Sequence, residues 1–404
     1  MKKCLALIML TVFLLSCWGC TQAKEEKGQT KKEEKTINYT ENMKAVWLSY
    51  YEIEALFSSL NEAQAQKKCE SIFSLLAQKG INTVFFHVRA FADAFYSSKY
   101  FPLSRYCPEG YDVLKLAVES AHKNKISLHA WVNPYRVALD TTLDALPAES
   151  PAVKLYAEDA ANLILVDKNI FFNPASIKVQ QLILSGIREI LEHYAVDGVH
   201  FDDYFYPSDS EEIDKESYAA YKNNGGNMNL SDFRRENVSN LIAAVHGLVK
   251  GKNDSLLFGV SPQCFIEKNR DLLFADIETW VQRESVDYLL PQIYFGFENE
   301  SAPFCTCVDT WVEFLQKKPV KLYVGLALYK SGKEDAYASE DSENQQSAYY
   351  EWMNHSDIIA REMEYLHSCG IKGYSLYSYA SLMENAENEN MEKEVQNLLP
   401  QLKE

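Results

Sequence analysis

Two adjacent carboxylates, Asp202 and Asp203, stand in the segment DGVHFDDYFYP (197–207), after the apolar positions Val199 and Phe201 and before Tyr204, Phe205 and Tyr206. A buried strand ending in paired acids among aromatic rings has what cleavage of a glycosidic bond needs. The acids supply a proton to the leaving oxygen and negative charge against the positive charge that develops on the ring, and the aromatics stack on its apolar face. Side-chain alternation puts His200, Asp202 and Tyr204 on one face of the strand and turns Asp203 toward a neighbouring strand or helix. On that reading Asp202 stabilises charge or orients the attacking group. Asp203 is a second acid, or a partner of an arginine such as Arg89, Arg136 or Arg235. His200 reads as a core histidine bonded to Asp202 or to a backbone carbonyl.

The elements that must position these acids follow from residue 43 onward, where short apolar runs alternate with amphipathic stretches. The runs are 44–51, 82–89, 127–133, 198–203, 256–261, 288–294, 322–328 and 373–379, each nearly continuous as in parallel strands covered on both faces. Helical periodicity fills the gaps at 62–79, 113–123, 176–193, 231–249 (with Ser231 as cap), 277–283, 308–316, 358–368 and 393–402. Eight such units without a composition break predict an α/β fold, a single (β/α)8 TIM barrel over 43–404. Insertions are expected after strands 3, 4 and 7, at 139–172, 208–230 and 330–356.

A barrel keeps its chemistry at the C-terminal strand ends. Those ends read Ser49-Tyr50-Tyr51-Glu52, His87-Val88-Arg89 with Asp93 beyond, and His129-Ala130-Trp131-Val132-Asn133-Pro134-Tyr135-Arg136. Strand 4 follows with its acids, then Ser261-Pro262-Gln263, Gln292-Ile293-Tyr294, Tyr329 and Tyr377-Ser378-Tyr379. Candidate substrate-binding residues are Arg89, Asp93, His129, Asn133, Tyr135, Arg136, His200, Tyr204, Gln292 and Tyr294. Both Arg89 and Arg136 either brace carboxylates or meet an anionic substrate.

Residues 1–20 form a targeting segment: Lys2 and Lys3 precede an apolar run from Leu5 to Leu15. Leu14-Leu15-Ser16-Cys17 resembles a bacterial lipobox, so Cys17 is the expected lipidation site, with Cys20 the competitor. Residues 21–42 are too polar to bury a core and read as a flexible tether. The expected location is therefore the cell envelope, outside the cytoplasm, on a lipid anchor. A net charge of −17 argues against nucleic acid as a partner. The remaining cysteines show no zinc spacing, so neither metal nor cofactor is expected.

The blocks VWLSYYE, INTVFFHVRAFADAFY, HAWVNPYR, the strand-4 segment, GVSPQ, VDYLLPQIYFG and Arg234-Arg235-Glu236-Asn237 occur in the order that resembles the family 10-like glycosyl hydrolases. The resemblance runs from about Met43 to Tyr379. It implies a (β/α)8 barrel in an extracytoplasmic protein, often a lipoprotein, acting on glycans such as peptidoglycan strands stripped of their peptides. More distantly, strand 4 resembles that of family 18 chitinases. Asp202 matches the inner aspartate, His200 replaces the first acid, and Tyr204 stands where the glutamate acid would be. The proton donor is then sought in Asp203, Glu52, Asp93, Glu236 or Glu298, and Glu298, close after Tyr294, joins Asp202 and Asp203 as a catalytic candidate. The expectation is a glycoside hydrolase of N-acetylated glycan. The alternatives are a glycan-binding lipoprotein on an inactive barrel, or a hydrolase of another polysaccharide.

Overall fold

The computed structural model describes residues 42–340, 344–383 and 388–403. The targeting segment, Cys17, Cys20 and nearly all of the tether lie outside the described residues.

Eight parallel strands form the barrel: β1 (Lys44–Leu48), β2 (Thr83–Arg89), β3 (Ser127–Val132), β4 (Gly198–Phe201), β5 (Leu257–Val260), β6 (Tyr288–Leu289), β7 and β8 (Tyr374–Leu376). Strand β7 comes in two pieces around Tyr323. Lys321–Leu322 pairs with β6 and Val324–Leu326 pairs with β8, which in turn pairs with β1 and closes the ring. Tyr323 keeps the ladder continuous by donating its N–H to Leu289 O at 2.9 Å. The (β/α)8 expectation holds.

Alternation along the strands separates two cores. Val46, Leu48, Val84, Phe86, Val199 and Phe201 face outward into the layer of helices, whereas Met43, Ala45, Trp47, Phe85, Trp131, Tyr288, Leu290 and Tyr323 fill the barrel. The barrel interior also takes three histidines, of which His129 and His200 are hydrogen-bonded while both ring nitrogens of His87 are buried without a partner. Trp47 Nε1 donates to His200 Nε2 at 3.3 Å, so Nδ1 of His200 carries the hydrogen and donates to Tyr288 Oη at 3.0 Å. The Tyr288 hydroxyl is then free to donate to His129 Nδ1 at 3.1 Å. Burial holds His129 down at about 4 and His200 well below the usual histidine range, so both rings are neutral. Gly259 on β5 makes room for this relay, because a Cβ there would lie 2.1 Å from the Tyr288 ring.

The expected helices at 62–79, 113–123 and 358–368 have the observed limits. Asn61 caps the first of these, and it stops at Gly80, whose φ of 99° is the left-handed conformation that glycine adopts without steric cost. Among the local readings that the structure corrects, two concern helix starts. The first strand ends at Leu48 and not at Tyr51, because Ser49 opens a helix at Tyr50–Phe57 and Glu52 folds back to accept the Ser49 N–H at 2.7 Å. The fourth long helix is Leu230–Lys252, capped by Asn229, which places Ser231 inside its first turn.

The three insertions extend from the C-terminal side of the strands. After β3, Arg136–Ala138, Leu163–Val166 and Asn169–Phe172 make a small antiparallel sheet. After β4, the buried Arg234 donates to Asp214 and to the carbonyls of Asp209 and Ser210, tying the loop to the following helix. After β7, residues 330–340 fold against the loop that follows β6.

Candidate active site

A cleft of about 1040 Å³ opens at the C-terminal ends of the strands, with Trp47, His87, Trp131, Asp202 and Asp203 among its lining residues. That volume is at the upper end for small-ligand pockets and leaves room for more than one sugar ring. The wall is aromatic over much of its extent, from Tyr50 and Tyr51 past Tyr204 and Phe265 to Tyr294, Phe295, Tyr329, Tyr337 and Tyr377.

Asp202 points into the barrel as alternation predicts. Its Oδ2 accepts from Trp131 Nε1 at 3.1 Å and more weakly from Asn133 Nδ2 at 3.4 Å, while Oδ1 is buried with no hydrogen-bond partner. Burial and then the neighbouring Asp203 charge push its carboxyl up to about 7, against the opposing charge of Arg136 and the Trp131 bond.

Asp203 also lines the cleft, because the regular strand ends at Phe201 and alternation no longer governs the next residues. It does not pair with an arginine. Oδ2 accepts from Gln263 Nε2 at 3.0 Å and Oδ1 from Gln292 Nε2 at 3.2 Å. Gln292 Nε2 also donates to Ser261 O at 3.1 Å, so the amide nitrogen faces two acceptors and its orientation is fixed. Burial raises Asp203 too, but these amide donors favour its ionised form. The pair therefore has an asymmetric character: one carboxyl with a spare buried oxygen and a strongly raised pKa, and one with both oxygens bonded to donors.

Of the expected site residues, the cleft brings together Asp202, Asp203, Tyr204, Arg136, Gln292 and Tyr294. Arg136 is clamped by Nε donating to Ala90 O at 3.0 Å, and its guanidinium lies between the rings of Phe91 and Tyr204, 4.7 and 4.6 Å from their centroids. Asn133 supports from behind: besides its bond to Asp202, its Oδ1 accepts the Arg136 N–H at 3.2 Å.

The other candidates lie away from the cleft. His129 and His200 belong to the relay inside the barrel, and His200 bonds Trp47 and Tyr288 instead of Asp202 or a carbonyl. Arg89 is buried over the Phe101 ring and donates to Pro134 O. Asp93 sits behind it beside Arg89, Ser104 and Arg105, where burial raises it to about 6. Tyr135 is fully buried in the outer core. Glu298 is exposed, because the Glu351 carboxylate accepts the N–H groups of Phe297 and Glu298 at 2.9 and 3.0 Å and turns the side chain to solvent. Glu236 pairs with Arg283 on the surface, and Arg235 with Asp232.

Glu52 is also not a free acid. Its Oε1 accepts from Ser378 Oγ at 2.6 Å and Ala380 N at 2.7 Å, and its Oε2 from Ser49, so it joins the ends of β1 and β8. Among the described residues, Asp202 and Asp203 are the only carboxylates that line the cleft. Sequence reasoning did not assign Trp47, Phe265, Lys268, Phe295 or Tyr337 to the site. Trp47 was findable from inward alternation on β1, whereas Lys268 sits on the short helix Ile266–Leu272 and the others on loops without a periodic signal.

Residues 42–341 match the family model described as glycosyl hydrolase-like 10. The chain is 33% identical to glycosyl hydrolase YngK of Bacillus subtilis (strain 168) over 276 residues, which is 62% of this chain and 53% of that protein. Identity to glycosyl hydrolase DigH of Escherichia coli (strain K12) is also 33%, over 286 residues and 64% of each chain. The chain thus spans between about half and two thirds of the length of these relatives. Among solved structures, the glycoside hydrolase domain of PgaB (BpsB) from Bordetella bronchiseptica superposes with a TM-score of 0.60 at 12% identity, covering 89% of this chain and 99% of that one. The alpha-L-fucosidase isoenzyme 2 from Paenibacillus thiaminolyticus gives 0.58 at 12%, covering 88% and 49%. At such identities these likenesses speak for the barrel alone.

Proposed function

Since the chain belongs to the glycosyl hydrolase-like 10 family, we propose that it is a glycoside hydrolase of N-acetylated glycan, with peptide-free peptidoglycan strands as substrate. The observation that carries the reading is the unequal pair Asp202 and Asp203 at the base of an aromatic cleft. A carboxyl pushed up to about 7 with a spare oxygen, beside one whose two oxygens are held by amide donors that favour its ionised form, suits the division of labour that glycosidic cleavage needs.

Residue types and spacing left the proton donor open among several acids and placed the charge-stabilising role on Asp202. Its burial and spare Oδ1 support the opposite assignment. Asp202 protonates the glycosidic oxygen as the C–O bond breaks, and the Asp203 carboxylate, fixed by Gln263 and Gln292, faces the positive charge that develops. With an N-acetylated sugar, the acetamide oxygen attacks the anomeric carbon and closes an oxazolinium ring whose N–H is stabilised by Asp203. Water then opens the ring, giving its proton back to Asp202, with net retention. The Arg136 charge acts against burial at both acids and favours their ionised forms. Tyr204 has its ring on Arg136 and does not need to replace the chitinase glutamate.

The names of the relatives YngK and DigH support a glycosidase. The envelope location rests on the N-terminal residues: lipid on Cys17 and a polar tether would hold the domain beside the wall. Metabolic labelling with a fatty acid checks this, with label lost in Cys17→Ser and kept in Cys20→Ser.

The decisive experiment incubates the purified chain with peptide-free strands and resolves products by mass, beside the Asp202→Asn variant. Short saccharides from the wild type alone are expected. Binding to the strands without products would sink the hydrolase reading and leave a glycan-binding protein. Cleavage confined to glycans lacking acetamido groups would overturn the substrate assignment.

A further inference from the structure

Tyr337 lies in the insertion after β7 and lines the cleft, yet 58% of its surface is exposed. An exposed aromatic is ordinarily mobile, but this one is held at both ends of its backbone. Its N–H donates to Asp335 Oδ1 at 3.0 Å, and its carbonyl accepts from Asn299 Nδ2 at 3.1 Å. Asn299 is itself buried, in the loop after β6, with Oδ1 accepting the N–H of Ala302 at 2.9 Å. The turn that presents Tyr337 is thus bolted to the neighbouring loop.

Lys330 completes the fixture. Its Nζ is buried, bonded to Asp335 Oδ1 at 2.6 Å and to the Tyr294 carbonyl at 2.7 Å, and it sits 4.3 Å from the Tyr337 ring centroid. Phe295, the residue after Tyr294, packs against Tyr337 with centroids 5.9 Å apart. The same short segment therefore carries Gln292, which holds Asp203, then Tyr294, then Phe295 at the Tyr337 end. A buried ion pair spent on orienting an exposed ring has no evident return in folding stability. It preorganises an apolar face for a ligand that arrives from solvent.

We infer that Tyr337, with Phe295 beside it, is a distal sugar-binding platform that stacks on a further ring of the glycan chain, away from the sugar held at Asp202 and Asp203. This rests on the glycan reading above and adds to it that the cleft engages several successive sugars. Lys330 is a positioning residue for the platform.

The test uses the purified chain with peptide-free glycans of two lengths, a tetrasaccharide and an octasaccharide. Tyr337→Ala is expected to raise KM for the octasaccharide on the order of tenfold, with kcat within about twofold and the tetrasaccharide little affected. Tyr337→Phe keeps the stacking face and should resemble the wild type. Lys330→Met should reproduce the length-dependent KM effect of Tyr337→Ala. Equal effects of Tyr337→Ala on both lengths, no effect on either, or an equal loss in Tyr337→Phe would overturn the platform. If the wild type binds these glycans but cleaves neither, the hydrolase reading fails, and octasaccharide affinity decides the platform separately. Weaker binding by Tyr337→Ala than by the wild type would keep it, and equal or absent binding would end it.

Discussion

The indole N–H of Trp131 donates to Oδ2 of Asp202 at 3.1 Å, and the other oxygen of that carboxyl is buried without a partner. That bond and the longer one from Asn133 are too little to offset the desolvation of a buried anion beside a second carboxylate, so the Asp202 carboxyl is pushed up to about 7. Replacing it with Asn keeps the shape and an acceptor for Trp131 while removing the titrating proton. Hydrolysis should fall by about 10² to 10⁴-fold, the range for loss of a general acid. Comparable turnover by Asp202→Asn and wild type on peptide-free strands would remove Asp202 from the chemistry.

The same substitution should stabilise the fold in alkali. Asp202 binds its proton more tightly folded than unfolded, so its contribution is fully present below the unfolded aspartate range near 4 and is lost as pH rises toward about 7. The cost of ionising it in place is on the order of 4 kcal/mol at pH 8. Thermal melts should therefore show Asp202→Asn above the wild type at pH 8, with the gap closing toward pH 4. A variant that melts lower at both pH values would show that the carboxyl is not destabilised by burial.

Activity should carry the same signature. With Asp202 as the acid, kcat/KM declines above about pH 7. The Asp203 charge is the second cause that raises Asp202, so Asp203→Asn should move this limb to lower pH as well as reduce the rate. An alkaline limb that stays put in Asp203→Asn would mean that the two carboxyls do not titrate as a pair.

Glu52 tests the scaffold independently of the chemistry. Four donors converge on its carboxylate from Ser49, Ser378 and Ala380, so Glu52→Gln replaces one acceptor oxygen by an NH₂ that faces donors. Loss of bonds to a charged, buried group should cost about 2 kcal/mol or more. Chemical denaturation would read this as a lower midpoint at unchanged slope. A midpoint equal to wild type would show that the β1 and β8 ends do not depend on this junction.

How much of this was legible in the sequence depends on whether periodicity reaches the residue. Trp47, Phe85, Trp131 and His200 occupy inward positions of regular strands, and the eight-strand barrel follows from such runs. Asp203 shows where the rule stops: β4 ends at Phe201, so the acid expected to turn outward instead meets Gln263 and Gln292 in the cleft. Glu298 failed as a catalytic candidate for a nonlocal reason, since Glu351, more than fifty residues later, holds its backbone and sends its side chain to water. Tyr337 was invisible because its placement depends on Asp335, Asn299 and Lys330, three polar contacts in loops without repeat or pattern.

Trp131 offers the sharpest separation of proton chemistry from packing. Trp131→Phe keeps an aromatic surface against His87, whose ring lies stacked on the indole at 3.7 Å between centroids, but removes the N–H that stabilises the Asp202 anion. With Asn133 left as the weaker donor at 3.4 Å, the Asp202 anion becomes less favourable and its pKa rises further. A hydrogen bond to a charged group is worth about 1.5 to 3 kcal/mol, so the alkaline limb of kcat/KM should move up by about one unit. The direction is opposite to that of Asp203→Asn, and a general loosening of the site has no reason to produce opposed shifts. If both variants move the limb the same way, or Trp131→Phe lowers the rate equally at every pH, the group titrating there is not Asp202.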